Sequence, residues 1–260
     1  MAPPPPPTTT PYTIKIYTSS QLSQQPALVD ELSELINESF LVQASHPLGR
    51  TGLRLEQPGQ LIDELGPSSL TAVYFHHPGN ADETTTDATR TPGQAIGTAS
   101  IKAWEGGKIW NPVRHSTESD LDPSADDELS VDGDFEAAIV AVKPSDEFRG
   151  RGIADKLVDA CEQAILQKWI AGEYLSLQPE AGSAIAEKTS PPRPIKIMVK
   201  VVKEITASYW AKKGFVTVVE KRYGPGTWGI EKEFTISAMV RELPVAMAIH
   251  KEEPRDSDLA

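Results

Sequence analysis

The sequence predicts an α/β fold of the mixed-sheet kind. About seven strands form one central twisted sheet flanked by helices, in a single domain over roughly residues 12–243. Three observations predict it. Runs with period-two alternation and runs with helical spacing interleave in the order strand, two helices, three strands, helix, strand, helix, two strands. One run, FEAAIVAV at 135–142, is almost continuously apolar, as in a strand covered on both faces. Finally, 39% of the 260 residues are hydrophobic, enough for a real core.

YTIKIY (12–17) alternates and predicts the first strand. Pro26 suits the first turn of a helix in which Leu28, Leu32, Leu35, Ile36 and Phe40 recur at helical spacing. A short helix over GQLIDEL (59–65) stops at Gly66. LTAVYFH (70–76) and AIGTASIKAW (95–104) predict neighbouring strands, and EGGK (105–108) a tight turn. The buried strand 135–142 is closed by Pro144. From Gly152 onward, Ile153, Leu157, Val158, Cys161, Ala164, Ile165 and Trp169 mark one face of a long helix. IKIMVKV (195–201) predicts a strand, KEITASYWAKK (203–213) a helix ended by Gly214, and 215–221 and 232–243 the last two strands.

Between these elements lie polar insertions near 78–94, 114–134 and 176–194. A Pro/Thr-rich tail (1–11) reads as extended and unpacked, and a charged tail follows from 244 to 260. The net charge is -12, but 116–134 holds eight Asp or Glu and no Lys or Arg, which leaves only -4 for the rest. That is a local solvated loop rather than a binding face. An acidic chain argues against nucleic-acid binding through phosphates. No apolar run of about 18 residues predicts a membrane span. The single cysteine, Cys161, excludes an intrachain disulfide, and the N-terminus lacks a secretory pattern, so the expected location is cytoplasmic or nuclear. His76 and His77 have no Cys or acidic cluster beside them, so no metal site is expected.

The chemistry concentrates in EFRGRGIADKL (147–157), between the buried strand and the long helix. A helix's first turn leaves backbone N–H groups unpaired at its positive end, and a pyrophosphate can accept them. Glycines allow close approach and unusual dihedrals, and successive amides form an anion-binding concavity. Neither GxxxxGK[ST] nor GxGxxG is present, which disfavours NTPase and dinucleotide readings.

Phe135 to Leu157 resembles the acyl-CoA-binding core of the GNAT N-acetyltransferase superfamily. That family's Arg/Gln-x-x-Gly-x-Gly/Ala signature stands here as Arg149, Gly152 and Ala154. YWAKKGF (209–215) is similar to its later aromatic-aromatic-x-x-x-Gly-Phe pattern. The resemblance implies a GNAT-like mixed sheet and acetyl-CoA as co-substrate. It implies that the strand carrying Val140, Ala141 and Val142 splays from its neighbour and meets the pantetheine arm through its main chain. Arg149, Gly150, Arg151, Gly152, Ile153 and Ala154 would then wrap the pyrophosphate.

An amine must lose a proton to attack a thioester, and a carboxylate serves as the base. Glu136, interrupting the apolar strand six residues before Val142, stands where the histone-acetyltransferase branch carries its general base. Tyr209 is the candidate acid for the leaving thiolate, although Trp210 occupies the position the family gives to tyrosine. One residue is about 100° of helix rotation. Lys203 replaces a CoA-contacting asparagine of many relatives. Trp104 and Trp110 flank the Gly-Gly turn and can line an acceptor pocket or pack.

The expected activity is acetyl transfer from acetyl-CoA to a primary amine in a ternary complex. The sequence does not choose between a small molecule, a protein N-terminus and a lysine, nor does it fix the oligomeric state. The alternatives are a non-catalytic acyl-CoA-binding or regulatory module, and an interaction scaffold using the acidic loop and Pro-rich tail.

Overall fold

The computed structural model describes residues 12–41, 46–49, 52–57, 59–77, 93–104, 133–171, 194–227 and 229–244. The tail 1–11, the EGGK turn, Trp110, residues 245–260 and all but the last residue or two of each insertion lie outside them.

Seven strands form one sheet in the order β1-β2-β3-β4-β5-β7-β6. They are β1 (Tyr12–Thr18), β2 (Leu70–His76), β3 (Gln94–Ala103), β4 (Phe135–Val142), β5 (Ile195–Val202), β6 (Val216–Tyr223) and β7 (Phe234–Leu243). Only the β4–β5 pair among these is parallel; the others are antiparallel. This is the mixed sheet of seven strands that the sequence predicts.

Helices cover both faces. On one, α4 (Ile153–Ile170) buries Leu157, Cys161 and Ile165 over β2, β3 and β4 (Ala72, Tyr74, Ala99, Ile101, Ala137), and α5 (Lys203–Lys212) buries Trp210 beside β5, whose alternate residues Ile195, Ile197, Val199 and Val201 share the same core. On the other, α1 (Ser19–Ser23), α2 (Pro26–Leu41) and α3 (Gln60–Leu65) bury Leu22, Leu32, Ile36 and Leu61 against Val73, Phe75, Ile139 and Ala141. The period-two and helical patterns predict these faces correctly because each strand and helix has one dry side. Burial also pushes the Cys161 thiol up to about 12, and its Sγ donates to the Ala99 carbonyl at 3.3 Å.

The five-residue α1 is absent from the sequence expectation, where the periodicity window was too short to register it. Its signal is the capping box: Thr18 Oγ1 accepts from Gln21 N–H at 3.2 Å, and Gln21 Oε1 accepts from Thr18 N–H at 2.9 Å. After α5 the chain reverses as predicted. Gly214 takes φ +85°, and Phe215 N–H reaches back to the Trp210 carbonyl at 3.1 Å.

Arg241 of β7 ties both helices of one face together. Its guanidinium pairs with Glu162 of α4, donates to the Lys213 carbonyl at 2.7 Å and lies 5.0 Å over the Phe215 ring. Burial pushes the Glu162 carboxyl up, against the opposing charge of Arg241, with Asp159 adding to the rise. Glu162 therefore favours the fold most when protonated, and this contribution fades as pH rises through its raised pKa. At neutral pH the arginine is what makes the charge tolerable. Arg241→Met is expected to cost about 3–5 kcal/mol in urea unfolding at about pH 7, shrinking toward about pH 4 as Glu162 takes up a proton.

Candidate active site

The turn after β4 is built by its own backbone. Phe148 and Arg149 N–H both donate to the Ser145 carbonyl at 3.0 Å. The Phe148 ring is buried and meets His76 edge-on at 5.9 Å, which anchors the loop to β2. Gly150 and Gly152 take φ +71° and +67°, the left-handed region that other residues enter at a cost. Gly152 is the N-cap of α4 and supplies no side-chain cap. The first helical bond runs from Lys156 N–H to the Gly152 carbonyl at 3.1 Å, so the amides of Ile153, Ala154 and Asp155 precede the ladder. A Cβ on Gly150 would meet nothing within 4 Å, and one on Gly152 only Asp155 Oδ2 at 4.0 Å. It is the dihedral, not crowding, that asks for glycine here.

These amides border a cavity of about 350 Å³ walled by Val142, Lys143, Arg149, Gly150, Gly152, Ile153, Ala154 and Tyr209, with Ser39 from α2 opposite. Arg149 is exposed and within 3.9 Å of Asp146, free to swing toward an anion. Arg151 is exposed and is not part of this wall. Ile153 turns its side chain into the core, so only its main chain is available.

Below the cavity β4 and β5 part company. They pair only at Phe135–Ile197 and Glu136–Met198, whereas β5 pairs with β7 along its full length. Lys143 N–H donates to the Ile96 carbonyl at 2.9 Å. Main-chain groups alternate sides along an antiparallel strand, so Val140 and Val142 turn theirs away from β3 and into the gap. Ala141 is the exception among the expected contacts. Its main chain faces β3 and its side chain is buried on the α2 side, which withdraws it from the gap.

Glu136 sits at the apex of the gap, roughly 20 Å from Val142 at ~3.3 Å per residue. It is 6% exposed, not at an open strand end. Oε1 meets Lys200 Nζ of β5 at 3.1 Å, while the buried Oε2 has no hydrogen-bond partner among the described residues. Lys200 in turn lies 5.2 Å over the Trp104 ring.

Tyr209 lines the cavity at its upper end, and its hydroxyl donates to Asp155 Oδ1 at 2.9 Å. Burial, and then the Asp155 hydrogen bond and charge, push the phenol well above its ordinary value. That makes it a poor acid, and its proton is committed to the first turn of α4. Asp155 also receives Lys213 Nζ at 3.2 Å, and Lys213 bonds Asp159 at 3.0 Å. Trp210 is buried, edge-on to Phe215 at 5.0 Å, as a core anchor. Lys203 pairs with Glu220 of β6 at 2.7 Å. His76 stacks on Tyr12 at 5.0 Å, and His77 Nε2 bonds Thr13 Oγ1 at 2.9 Å.

Sequence reasoning missed Lys200, Lys143 and Asp155. Lys143 and Asp155 flank the motif closely enough to have been included. Nothing in the sequence pairs Lys200 with Glu136, because that needs the register between two strands 64 residues apart.

No family model matches the sequence, and no curated protein matches it significantly. Among solved structures, Ard1 from Thermoplasma volcanium is 12% identical, with 90% of this chain and 99% of that one covered at a TM-score of 0.44. NAA60 from Arabidopsis thaliana, in complex with a bisubstrate analogue, is 12% identical over 89% of this chain and 100% of that one, at 0.41. The putative acetyltransferase yncA from Salmonella typhimurium, with its cofactor acetyl-CoA, is 11% identical over 95% and 99%, at 0.42. Likeness this distant decides neither activity nor substrate, which rest on the residues of this chain.

Removing the Tyr209 hydroxyl tests its place in the loop. Tyr209→Phe is expected to lower stability by about 1.5–3 kcal/mol in urea titration, the worth of a hydrogen bond to a charged group.

Proposed function

We propose that this chain is an acetyl-CoA-dependent N-acetyltransferase that acetylates a primary amine by direct attack in a ternary complex. The observation carrying this reading is the ladder between β4 and β5, which is cut to two positions. An uncapped, glycine-rich helix start follows one end of β4, and at the other lies a buried carboxylate, one oxygen of which has no hydrogen-bond partner among the described residues. The separation is of the order that an extended pantetheine arm covers.

The chain's own groups divide the work. The amides of Gly152 to Ala154, with Arg149 and Lys143, would hold the diphosphate. The main chain of Val140 and Val142 would bond the pantetheine amides as a further strand does. Acetyl-CoA supplies an activated acyl carbon and a thiolate leaving group. Glu136 Oε2 accepts a proton from the amine as its nitrogen bonds that carbon, and the thiolate takes up a proton from solvent, since Tyr209 is engaged elsewhere. Positioning of the two reactants supplies much of the acceleration.

One observation favours a second reading, a non-catalytic acyl-CoA-binding module: neither Tyr209 nor Trp210 offers an acid to the sulfur. Turnover separates the two. Glu136→Gln is expected to lower kcat by at least about 100-fold on labelled acetyl-CoA and a primary-amine panel, with the acetyl-CoA Kd from calorimetry unchanged. Unaltered kcat would remove Glu136 from the mechanism, and binding without turnover in the wild type would favour the second reading. Arg149→Ala combined with Gly152→Asp is expected to weaken acetyl-CoA binding by about tenfold or more, because it removes one cation and sets an anion among the amides.

A further inference from the structure

Glu136 lies between two lysines on one face of the sheet. Directly across on β3 is Lys102, whose Nζ donates to the Glu64 carbonyl oxygen at 3.1 Å. The Glu64 carboxylate is itself held by Arg54 at 2.7 and 2.6 Å. On β5, Lys196 brackets Met198 from one side, its own amide donating to Asp134 at 2.8 Å, and Lys200 brackets it from the other. Helix α2, over the rest of β4, places Glu31 at the far end, on the Ala95 amide at 2.8 Å. Lys200 Nζ touches the Glu136 carboxylate at 3.1 Å, with both side chains about nine-tenths buried.

Two consequences follow from that contact. With Oε1 engaged, Oε2 is the oxygen left to receive a proton, and a buried carboxylate oxygen without a donor is costly until one arrives. The pair is also electrically neutral. An incoming ammonium would add an uncompensated positive charge beside Lys200, whereas a neutral amine adds none.

We propose that Lys200 is a positioning residue for acetyl transfer: it holds Oε1, leaves Oε2 as the proton acceptor and selects the acceptor amine in its neutral form. The inference rests on the acetyltransferase reading. It goes beyond that reading by assigning a role to a residue outside the CoA motif.

The test is the pH profile of kcat for the full chain, with n-butylamine, spermidine and a peptide bearing a free α-amine as acceptors. Without Lys200, anionic Glu136 would hold the incoming amine as an ammonium, so deprotonation would need higher pH. Lys200→Met is expected to lower kcat about 10- to 100-fold near neutrality and to move the acidic limb up by about one unit or more. The acetyl-CoA Kd should stay within about twofold of the wild type. Lys200→Arg keeps the charge and should restore the limb. If Lys200→Met does not fold, Lys200→Gln gives the same reading. A fall in kcat with an unmoved limb, or a limb that arginine does not restore, overturns the role of Lys200 alone. A wild type that binds acetyl-CoA but acetylates none of the amines, or fails to bind it, overturns the function and this inference together.

Discussion

The abbreviated ladder between β4 and β5 is the constraint on which the rest of the structure depends. Buried main-chain donors and acceptors are normally satisfied, and sheets satisfy them by pairing strands along their length. Here β4 is paired to β3 over most of its length and β5 to β7 over all of its own, yet the two meet at only two positions. The sheet is thus two half-sheets, β1–β4 and β5–β7, hinged at Glu136. The main-chain groups of Val140 and Val142 face that opening and not β3.

A sheet opened in this way must be tied together elsewhere. α4 packs on β2, β3 and β4, and α5 on β5 and β7. Side chains crossing between the helices therefore span the two halves. Arg241 to Glu162, Lys213 to Asp155 and Asp159, and Tyr209 to Asp155 make one continuous polar strip along that seam. Trp210 and Phe215 supply its apolar counterpart. The same strip reaches the first turn of α4, so the groups that close the seam also set the helix start facing the cavity. Tyr209 belongs to this structural strip, which is why its hydroxyl points at a carboxylate instead of down the gap.

Much of this was legible in the sequence. Period-two and helical patterns fix elements and their dry faces, because burial is a local property of each element once its partner layer exists. All seven strands and four of the five helices are readable in that way. α1 is too short for periodicity and is written only in Thr18 and Gln21. The helix start was legible because glycines at left-handed dihedrals and an uncapped N-terminus leave a compact sequence trace over 149–154. What was not legible depends on register. Ala141 sits inside the right segment, but which main-chain groups face the gap is decided by the bond between Lys143 and Ile96. The partner of Glu136 is likewise decided by how β5 slides along β4.

Lys200 shows the same limit from the other side. Within IKIMVKV, lysines alternating with apolar residues read as the wet face of a half-buried strand, and on an ordinary sheet edge they would be. This strand sits next to the centre of the sheet, and its Lys196–Met198–Lys200 face borders the opening. The ammonium lies 5.2 Å over the Trp104 ring and also reaches an acid that the neighbouring strand has buried. Either charge alone would be strongly disfavoured there, and together they cost less than a single buried ion. A well-packed apolar pair would serve stability at least as well. An ion pair kept at the hinge of an opened sheet is therefore not explained by stability alone, and the role proposed for Glu136 would give it a reason.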